Sequence, residues 1–462
     1  MTPSTNATSD QRIDFLAELR WRNLFHQATH EDALAKHLSE PDSSPRRAYA
    51  GFDPTADSLT IGNLIPIMVL IHFARAGHTP VVVMGGGTGL IGAPSGKSAE
   101  RQLLTPERVQ EHIDSQREIF QRAFAGADLP EPTIRNNHDW LKDLSYLEAL
   151  RDVGKHFSVN MMVQKDSVRD RLNNRDQGIS YTEFSYMILQ AYDFLHLYRD
   201  GDVTIQLGGS DQYGNIVAGC DLIRRVNASK RFGEVVDQVW DDVPDSEREK
   251  DSAAFGMTAP LVTKADGGKF GKTESGAVWL SAHRTSPYAY YQFWLNAADE
   301  DVGRFLRLFT LMTQDEIESL EAAHSEAPHK REAQRALARG ATDIIHGRAE
   351  RDRAEAAAAA LFSGAVRDLD ERTLTDVFAE VPASSHDRAS LEGEGVVLER
   401  VLIDAKIAKS MTEARRLVSA GSVSINGDKA GEGRTLTPAD LLHGSAIALR
   451  KGKRNWHLTR WA

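Results

Sequence analysis

Three polar side chains recur at helical spacing within one apolar segment of the chain. Tyr186, Gln190 and Asp193 occupy positions i, i+4 and i+7, which places a phenol, an amide and a carboxylate on one face of a helix. The flanking residues are apolar nearly all round, so we expect this helix to be buried. Buried polar groups need hydrogen-bond partners, and a small polar ligand is one such partner. The alternative is an ordinary solvated face.

A second candidate is the stretch Tyr49-Ala-Gly-Phe-Asp-Pro-Thr-Ala-Asp-Ser-Leu-Thr-Ile-Gly-Asn63. It predicts a short strand from Arg47 to Phe52, a turn, and a helix that begins near Gly62. A helix N-terminus carries unpaired N–H groups and a partial positive charge, which attract anions. A glycine there also lets a nucleotide approach the backbone closely. An ordinary strand–turn–helix corner is the alternative.

Two glycine-rich loops could meet phosphate groups, and for the second of them the alternative is a solvated turn. Residues 85–98 follow the apolar run Val81-Val-Val-Met84, but the first glycine that a P-loop requires falls on Ile91, so we reject that motif. Lys97 and Arg101 could still contact phosphates there. The second loop spans residues 264–273. A loop of this kind can close over a polyphosphate, where lysine supplies positive charge to the phosphate oxygens. The side chains suited to contacting phosphate here are those of Lys269, Lys272 and Thr273.

The order of apolar and polar segments predicts how these residues are held. Residues 11–240 alternate apolar strands with helical patterns, which is typical of an α/β fold with a mainly parallel sheet. The small unit at the end contains a hairpin turn signal, Asn426-Gly427. We therefore predict six parts: a disordered tail (1–12), a main α/β domain with an apolar insert (13–240), a linker with the second loop (241–285), a helical domain (286–363), a linker (364–394) and a small α+β domain (395–462).

Composition limits the class of protein. Of the 462 residues, 41% are hydrophobic and 26% are charged, as is ordinary for a soluble globular protein. No apolar run approaches the roughly 20 residues of a membrane helix, and the first ten residues lack the apolar core of a signal peptide. The single cysteine, Cys220, excludes an internal disulfide and a cysteine-based zinc site, and its helical surroundings predict packing. A reduced, cytoplasmic setting fits this composition.

Charge is distributed unevenly along the chain. The net charge is −11, but residues 395–462 have 12 Lys and Arg against 6 Asp and Glu, a net of +6, which leaves −17 for the first 394 residues. An acidic body with a basic tail suggests a nucleic-acid contact at one end. A merely basic surface is the alternative.

Together these stretches resemble one family. The stretch from Tyr49 resembles the first signature of the class I aminoacyl-tRNA synthetases, and Lys269-Phe-Gly-Lys-Thr273 resembles the second. With Glu183-Phe-Ser-Tyr-Met-Ile-Leu-Gln-Ala-Tyr-Asp193 and Gly208-Gly-Ser-Asp-Gln-Tyr-Gly-Asn215, the chain is similar to the bacterial-type tyrosyl-tRNA synthetases. The resemblance covers nearly the whole chain. It implies a Rossmann-like catalytic domain, a helical domain and, over 395–462, a small RNA-binding domain named after a ribosomal protein.

The resemblance implies an enzyme that joins tyrosine to ATP, releases pyrophosphate and transfers tyrosine to the 3′ end of tRNA(Tyr). Such a reaction needs positioning and charge stabilisation more than a protein acid or base. Tyr49 and Asp193 would hold the substrate phenol, and Tyr186 and Gln190 its amino end, with Gln206 also in the tyrosine site. The ATP site would comprise Gly51, Asp53, Pro54, Gly62, Asn63, Gly209, Asp211, Gln212 and Lys272. The catalytic set would be Thr60, Asn63, Lys97, Arg101, Lys269, Lys272 and Thr273.

The resemblance also implies partners. Mg²⁺ would accompany ATP without a protein-held metal site, and no membrane would be involved. The enzyme would be a homodimer, with the apolar insert around 140–165 as its interface. The tRNA would contact the helical region and the basic tail. Phosphate contacts in the tail would be made by Arg415, Arg416, Lys451, Lys453 and Arg454.

The chain departs from the family pattern at three positions. Thr60 stands where the family usually has histidine, and Tyr213 stands where tryptophan is usual. Ala93 replaces an aspartate that would pair with the substrate ammonium, and losing a charged partner costs roughly 1.5–3 kcal/mol. We expect an active enzyme that binds the tyrosine amino group differently. A non-catalytic RNA-binding protein and a synthetase for tryptophan are the alternatives, which an amino-acid panel would separate.

Overall fold

A computed structural model gives the positions of most of the chain. The residues that it describes are 13–39, 45–91, 104–164, 168–169, 179–232, 253–265, 267, 270–273, 276–379, 381–452 and 455–462. The disordered tail predicted over 1–12 lies outside these residues, as does most of the charged segment 241–254.

A six-stranded sheet built from the described residues organises the first part of the chain. Its strands are β1 Gln27–Ala28, β2 Arg47–Phe52, β3 Thr79–Met84, β4 Thr133–Asn136, β5 Val203–Gly209 and β6 Phe255–Ala259. Their order is β1-β6-β5-β2-β3-β4, and every pair is parallel except β1 with β6. β3 and β6 are buried almost throughout, as expected for strands covered on both faces. The prediction of an α/β fold with a mainly parallel sheet is confirmed.

The strand–turn–helix corner forms as its sequence predicts. β2 has the predicted bounds, and a 3₁₀ turn over Ile61–Asn63 leads into the helix Leu64–Arg75. That helix is apolar on nearly every side, and Ile67, Met68 and Ile71 are fully buried. The helix that follows the turn is therefore held firmly in the core.

The described chain divides into two compact units, the first made of residues 1–284 and 297–345 and the second of 285–296 and 346–462. The boundaries drawn from the sequence stay predictions. The α-helices of the first unit are Phe15–Trp21, Glu31–Ser39, Leu64–Arg75, Thr88–Ile91, Pro106–Gly126, His138–Leu141, Tyr146–Glu148, Val159–Gln164, Tyr181–Gly201, Tyr213–Phe232, Asp299–Phe309, Gln314–Glu326 and Glu332–His346, of which the last residue falls in the second unit.

The second unit combines helices with a small, mainly antiparallel sheet. Its helices are Pro287–Leu295, Arg348–Ser363, Glu371–Val377, Leu398–Asp404 and Met411–Ser419. The strands of its sheet, in spatial order, are Asp428–Lys429, Val423–Ile425, Ala446–Lys451, Asn455–Trp461 and Ala383–His386. A further pair joins Val396–Val397 to Thr435–Leu436.

The hairpin turn predicted at Asn426-Gly427 is confirmed. Asn426 has φ 49° and Gly427 has φ 96°, the left-handed values that a tight hairpin turn requires at both central residues. The strands Val423–Ile425 and Asp428–Lys429 pair on either side. Glycine is needed here because a Cβ at Gly427 would collide with the carbonyl oxygen of Gly364.

The structure differs from the linker predicted over 364–394. This stretch contains the helix Glu371–Val377, whose Leu374 and Val377 join a core cluster with Trp456 and Leu458. The strand Ala383–His386 pairs in parallel with the last strand of the sheet. The polar composition concealed these few apolar residues, because a short helix buries only one stripe of its surface and leaves the opposite face polar.

Two smaller observations complete the fold. Cys220 lies in the helix Tyr213–Phe232 and packs against a core cluster. Burial raises the pKa of its thiol, as expected for a cysteine with a packing role. Among the described residues, no helix is both long and apolar enough to span a membrane.

A buried arginine ties the beginning of the first unit to its helical part. Arg22 ends the helix Phe15–Trp21 and is 1% exposed, with its Nε 2.6 Å from the Glu18 carboxylate. Its remaining donors point at three backbone carbonyls from one distant segment. These are the carbonyls of Arg307 at 3.0 Å, Thr310 at 2.9 Å and Met312 at 2.6 Å.

Candidate active site

The site forms where the central strands end. In parallel α/β sheets, ligands bind at the carboxyl ends of the strands. Asp53 directly follows β2, and Gly85 directly follows β3. The helix Tyr181–Gly201, here called the Asp193 helix, packs its Met187 and Phe194 into one core cluster with Tyr49. The structure thus brings the predicted helix face to the predicted strand–turn corner.

Asp193 is a buried carboxylate with a hydrogen-bond donor on each oxygen. It is 4% exposed, Asn137 Nδ2 donates to its Oδ2 at 2.9 Å, and Trp140 Nε1 donates to its Oδ1 at 2.7 Å. Burial raises the pKa of Asp193 to about 7; the two donors oppose this shift, and the Asp53 charge adds to it. A carboxylate oxygen has two acceptor positions, so both oxygens can take a further donor.

Tyr49 and Gln206 are neighbours in the sheet that carry unsatisfied polar atoms, and the Tyr49 hydroxyl lies close to this carboxylate. They are paired in register on β2 and β5, and both are at least 97% buried. Among the described residues, neither Tyr49 Oη nor Gln206 Oε1 has a hydrogen-bond partner. Burial and then the Asp193 charge raise the pKa of Tyr49, so the hydroxyl stays protonated close to that carboxylate. Leaving such groups unpaired is costly, and a polar ligand would remove the cost.

A hydrogen-bond network joins Asp53 to Asp193. Tyr186 Oη donates to Asp53 Oδ2 at 2.8 Å, and Thr88 Oγ1 donates to Asp53 Oδ1 at 2.9 Å. Asn137 Nδ2 donates to Thr88 Oγ1 at 3.0 Å as well as to Asp193. The backbone of the glycine loop follows this network closely, since a Cβ at Gly85 would collide with the Asp53 carboxylate.

Gln190, predicted to hold an amino group, meets the segment that follows β5. Asn215 Nδ2 donates to Gln190 Oε1 at 3.1 Å and lies 3.4 Å from Gln212 Oε1. Gln212 Nε2 in turn donates to Asp211 Oδ2 at 3.1 Å. Gly209 is the last residue of β5 and precedes the 3₁₀ turn Ser210–Gln212. These predicted residues therefore form one polar rim.

The part of the site that the sequence predicts to bind nucleotide presents open backbone. A Cβ at Gly51 would meet no atom within 4 Å, and one at Gly62 would meet only Thr60 Oγ1 at 3.6 Å. The Asn63 side chain closes the turn below, since its Oδ1 accepts from both Thr60 N and Thr60 Oγ1 at 3.0 and 3.1 Å. The Pro54 carbonyl accepts from the His112 ring at 2.9 Å, which fixes the bend after β2.

The two signature segments touch each other. Ile61 N donates to the Val278 carbonyl at 2.9 Å, and Thr60 forms a β-bridge with Trp279. Gly271 has φ +77°, and a Cβ there would collide with Ile61. Lys272 and Thr273 follow as a short strand paired with Gly276–Ala277. The end of the second loop thus lies directly against the first signature.

Comparisons with known proteins identify the family. The family model described as tRNA synthetases class I (W and Y) matches residues 42–363, and that of the tyrosine–tRNA ligase SYY-like C-terminal domain matches residues 373–459. A tyrosine–tRNA ligase of Roseiflexus castenholzii is 46% identical over 447 residues, which cover 96% of this chain and 99% of that relative. The chain belongs to the tyrosine–tRNA ligase family.

Further relatives support this assignment. A tyrosine–tRNA ligase of Geobacillus kaustophilus is 45% identical over 452 residues, covering 97% of this chain and 100% of the relative. Among solved structures, a C-terminally truncated mitochondrial tyrosyl-tRNA synthetase of Coccidioides posadasii is similar with a TM-score of 0.63 and 31% identity, covering 75% of this chain and 92% of that one. The resemblance read from the motifs is confirmed, and so is the class I catalytic fold.

Several residues expected from the family lie outside the described set. These are Lys97, Arg101, Lys269, Lys453 and Arg454. In the tail, Arg415 and Arg416 are exposed on the helix Met411–Ser419. Lys451 is partly engaged, because its Nζ donates to the Ile407 carbonyl at 2.9 Å. Among the described residues, no group of three His, Cys, Asp or Glu side chains is placed to hold a metal ion.

Sequence reasoning missed three residues that orient the acidic groups: Thr88, Asn137 and Trp140. Asn137 and Trp140 follow β4, a four-residue strand with no clear apolar alternation. The one available signal was the buried carboxylate itself, which requires donors from neighbouring segments.

Proposed function

We propose that this chain activates L-tyrosine with ATP, forming tyrosyl-adenylate and pyrophosphate, and then transfers the tyrosyl group to the 3′ end of tRNA(Tyr). The observation that carries this is that the buried Asp193 carboxylate lies close to the Tyr49 hydroxyl, which has no hydrogen-bond partner among the described residues. A substrate phenol can donate to Asp193 and accept from Tyr49 at once. A phenyl ring would leave the Tyr49 hydroxyl unpaired and would bring apolar carbon and hydrogen against the Asp193 carboxylate, which disfavours phenylalanine.

The amino end of tyrosine would lie toward Tyr186 and Gln190. Ala93 provides no carboxylate for the substrate ammonium, so the negative charge at this end must come from another residue. We assign it to Asp53, whose carboxylate accepts from Tyr186 Oη at 2.8 Å. The like charge of Asp193 nearby raises the energy of both carboxylates, and a bound ammonium group would relieve that repulsion.

The chemical step would depend on placement. The tyrosine carboxylate attacks the α-phosphate, a new C(O)–O–P bond forms, and pyrophosphate leaves with the broken bond's electron pair. The open backbone at Gly51 and Gly62 would admit the nucleotide, with Gly209, Asp211 and Gln212 on the opposite rim. Charge on the leaving pyrophosphate would be met by Lys97, Arg101, Lys269, Lys272 and Thr273. Mg²⁺ would bind mainly through the ATP phosphates.

Amino-acid-dependent exchange of labelled pyrophosphate into ATP tests this function. The assay compares tyrosine, phenylalanine and tryptophan with the full-length protein. We expect exchange with tyrosine and at least about 100-fold lower kcat/KM with phenylalanine, because the Tyr49 hydroxyl then lacks a partner and the Asp193 carboxylate loses the hydrogen bond from the substrate phenol. Absence of tyrosine-dependent exchange, or equal activity with tryptophan, would overturn the proposal.

The basic tail would supply phosphate contacts to tRNA. Replacing Arg415 and Arg416 together by alanine should weaken tRNA binding and lower the slope of log K against log salt by about one unit per lost contact. The measurement is tRNA affinity over a range of salt concentrations. The matched control replaces Arg117 and Arg122, two exposed arginines of the first unit, by alanine. Equal slopes for the two double variants would count against the tail contact.

The homodimer is also part of the proposal. Four large apolar side chains near the predicted insert are exposed: Tyr146 at 64%, Leu147 at 77%, Leu150 at 45% and Val159 at 61%. An exposed apolar patch of this kind suits a protein interface.

The proposed location is the cytoplasm. A chain with a single cysteine fits a reducing compartment of this kind.

Leu147→Glu should shift the protein from dimer to monomer, because it places a charge within that patch. Sedimentation velocity at several concentrations measures the shift. Phe362→Glu, at a site 86% exposed in the second unit, is the control and should leave the mass unchanged. A monomeric wild type, or a Leu147→Glu protein with the wild-type mass, would contradict this interface.

A further inference from the structure

The His196 ring stacks on Trp140, the residue that donates a hydrogen bond to the buried Asp193 carboxylate. The imidazole and indole centroids are 4.5 Å apart, with 18° between the ring planes. The Arg135 guanidinium also lies near the indole, 5.7 Å from its centroid. Trp140 itself is 7% exposed, so its orientation is determined by these neighbours.

The stack and the hydrogen bond involve the same helix face. Asp193 and His196 occupy positions i and i+3 of the Asp193 helix, which makes them neighbours on its surface. Trp140 spans both, with its face on His196 and its Nε1 donating to Asp193 Oδ1 at 2.7 Å. Because the N–H lies in the ring plane, a tilt of the indole would misdirect that donor, and hydrogen bonds weaken steeply with angle.

A cavity gives the indole room to tilt. Trp140 and His196 both line a cavity of about 760 Å³, whose wall also includes Leu144 and Val153. Side chains in a close-packed interior are held on all sides, whereas a cavity wall lacks partner atoms on one side. The imidazole is therefore the contact that keeps the indole plane fixed on this side.

We propose that His196 is a positioning residue for tyrosine recognition, which holds Trp140 so that its N–H stays directed at Asp193. This inference rests on the proposed tyrosine activation. His196 acts through Trp140 and does not touch the substrate. Its loss should weaken tyrosine binding while the ATP side of the reaction continues normally.

Three substitutions at this position test the role in the exchange assay. His196→Ala and His196→Leu should raise KM for tyrosine about three- to tenfold, the effect of one lost aromatic pair, with KM for ATP and kcat within about twofold. Leucine fills the volume without stacking, so it separates recognition from folding defects. His196→Phe keeps a stacked ring and should restore KM. Asp200→Asn removes the ring's exposed ionic neighbour, 3.4 Å from Nδ1, and should leave KM unchanged.

A double-mutant cycle tests whether His196 affects tyrosine binding through Trp140. Trp140→Phe keeps an aromatic ring but removes the N–H, so His196→Leu should add less than about twofold to KM in that background. Full additivity would overturn the proposal, as would an unchanged KM in His196→Ala and His196→Leu. Wild-type protein without tyrosine-dependent exchange would instead refute the proposed function, which makes the two failures distinguishable.

Discussion

Replacing Asp193 by asparagine should lower kcat/KM for tyrosine activation by about 10²- to 10⁴-fold. The substitution removes a charged acceptor for the substrate phenol, which costs roughly 1.5–3 kcal/mol. It also turns an NH₂ group toward the donor of Asn137 or Trp140, and the buried donors left unpaired cost roughly 1–3 kcal/mol more. Pyrophosphate exchange measures the effect. Asp143→Asn, the same change at an exposed site, is the matched control and should stay within about twofold of wild type. Wild-type kcat/KM in Asp193→Asn would refute the assigned role.

The same carboxylate should produce a pH dependence. Burial raises the pKa of Asp193 to about 7, so lowering the pH through 7 protonates it and removes the charged acceptor. We expect kcat/KM for tyrosine to be level above about pH 7 and to fall about tenfold per pH unit below it. In Asp193→Asn this acidic limb should disappear. An acidic limb that persists in that variant would assign the titration to another group.

Replacing Arg22 by methionine should lower the free energy of unfolding of the first unit by about 3–5 kcal/mol. The guanidinium is buried and bonded to Glu18 and to three carbonyls of the segment 307–312, and removing one side of a buried charge network leaves the other side uncompensated. Methionine preserves most of the volume of the arginine side chain, so the lost stability is due mainly to the lost polar contacts. The midpoint of urea unfolding at unchanged m measures the effect.

Arg20 provides the comparison for this prediction. It lies on the same helix, is 46% exposed and forms an ion pair with Glu31 at the surface. Arg20→Met should change stability by less than about 1 kcal/mol, because exposed ion pairs contribute little. Equal midpoints for the two variants would contradict the stabilising role of the buried network.

Local patterns predicted those parts of the structure that depend on near neighbours in the chain. The strand Arg47–Phe52 and the turn at Asn426-Gly427 follow from residue types within a few positions. Tyr186 and Asp193 share a helix face because helical spacing alone puts them there. The family resemblance, carried by long motifs, then indicated what such residues are for.

The partners of the acidic groups could not be predicted in this way. Thr88, Asn137 and Trp140 lie 35 to 56 positions from the carboxylates that they contact, and their roles depend on β4 lying beside β3 in the sheet. The same limit explains why the sequence did not predict the helix and strand within 364–394, where Leu374 is buried by strands about 80 residues further along. Tertiary pairing decides such contacts, and a single sequence does not state it.

A crystal structure with bound L-tyrosine tests the central claim most directly. The account predicts the substrate's phenolic oxygen within about 2.6–3.2 Å of both Tyr49 Oη and a carboxylate oxygen of Asp193. A tyrosine ring bound elsewhere, or a phenolic oxygen beyond hydrogen-bond reach of those two residues, would contradict it.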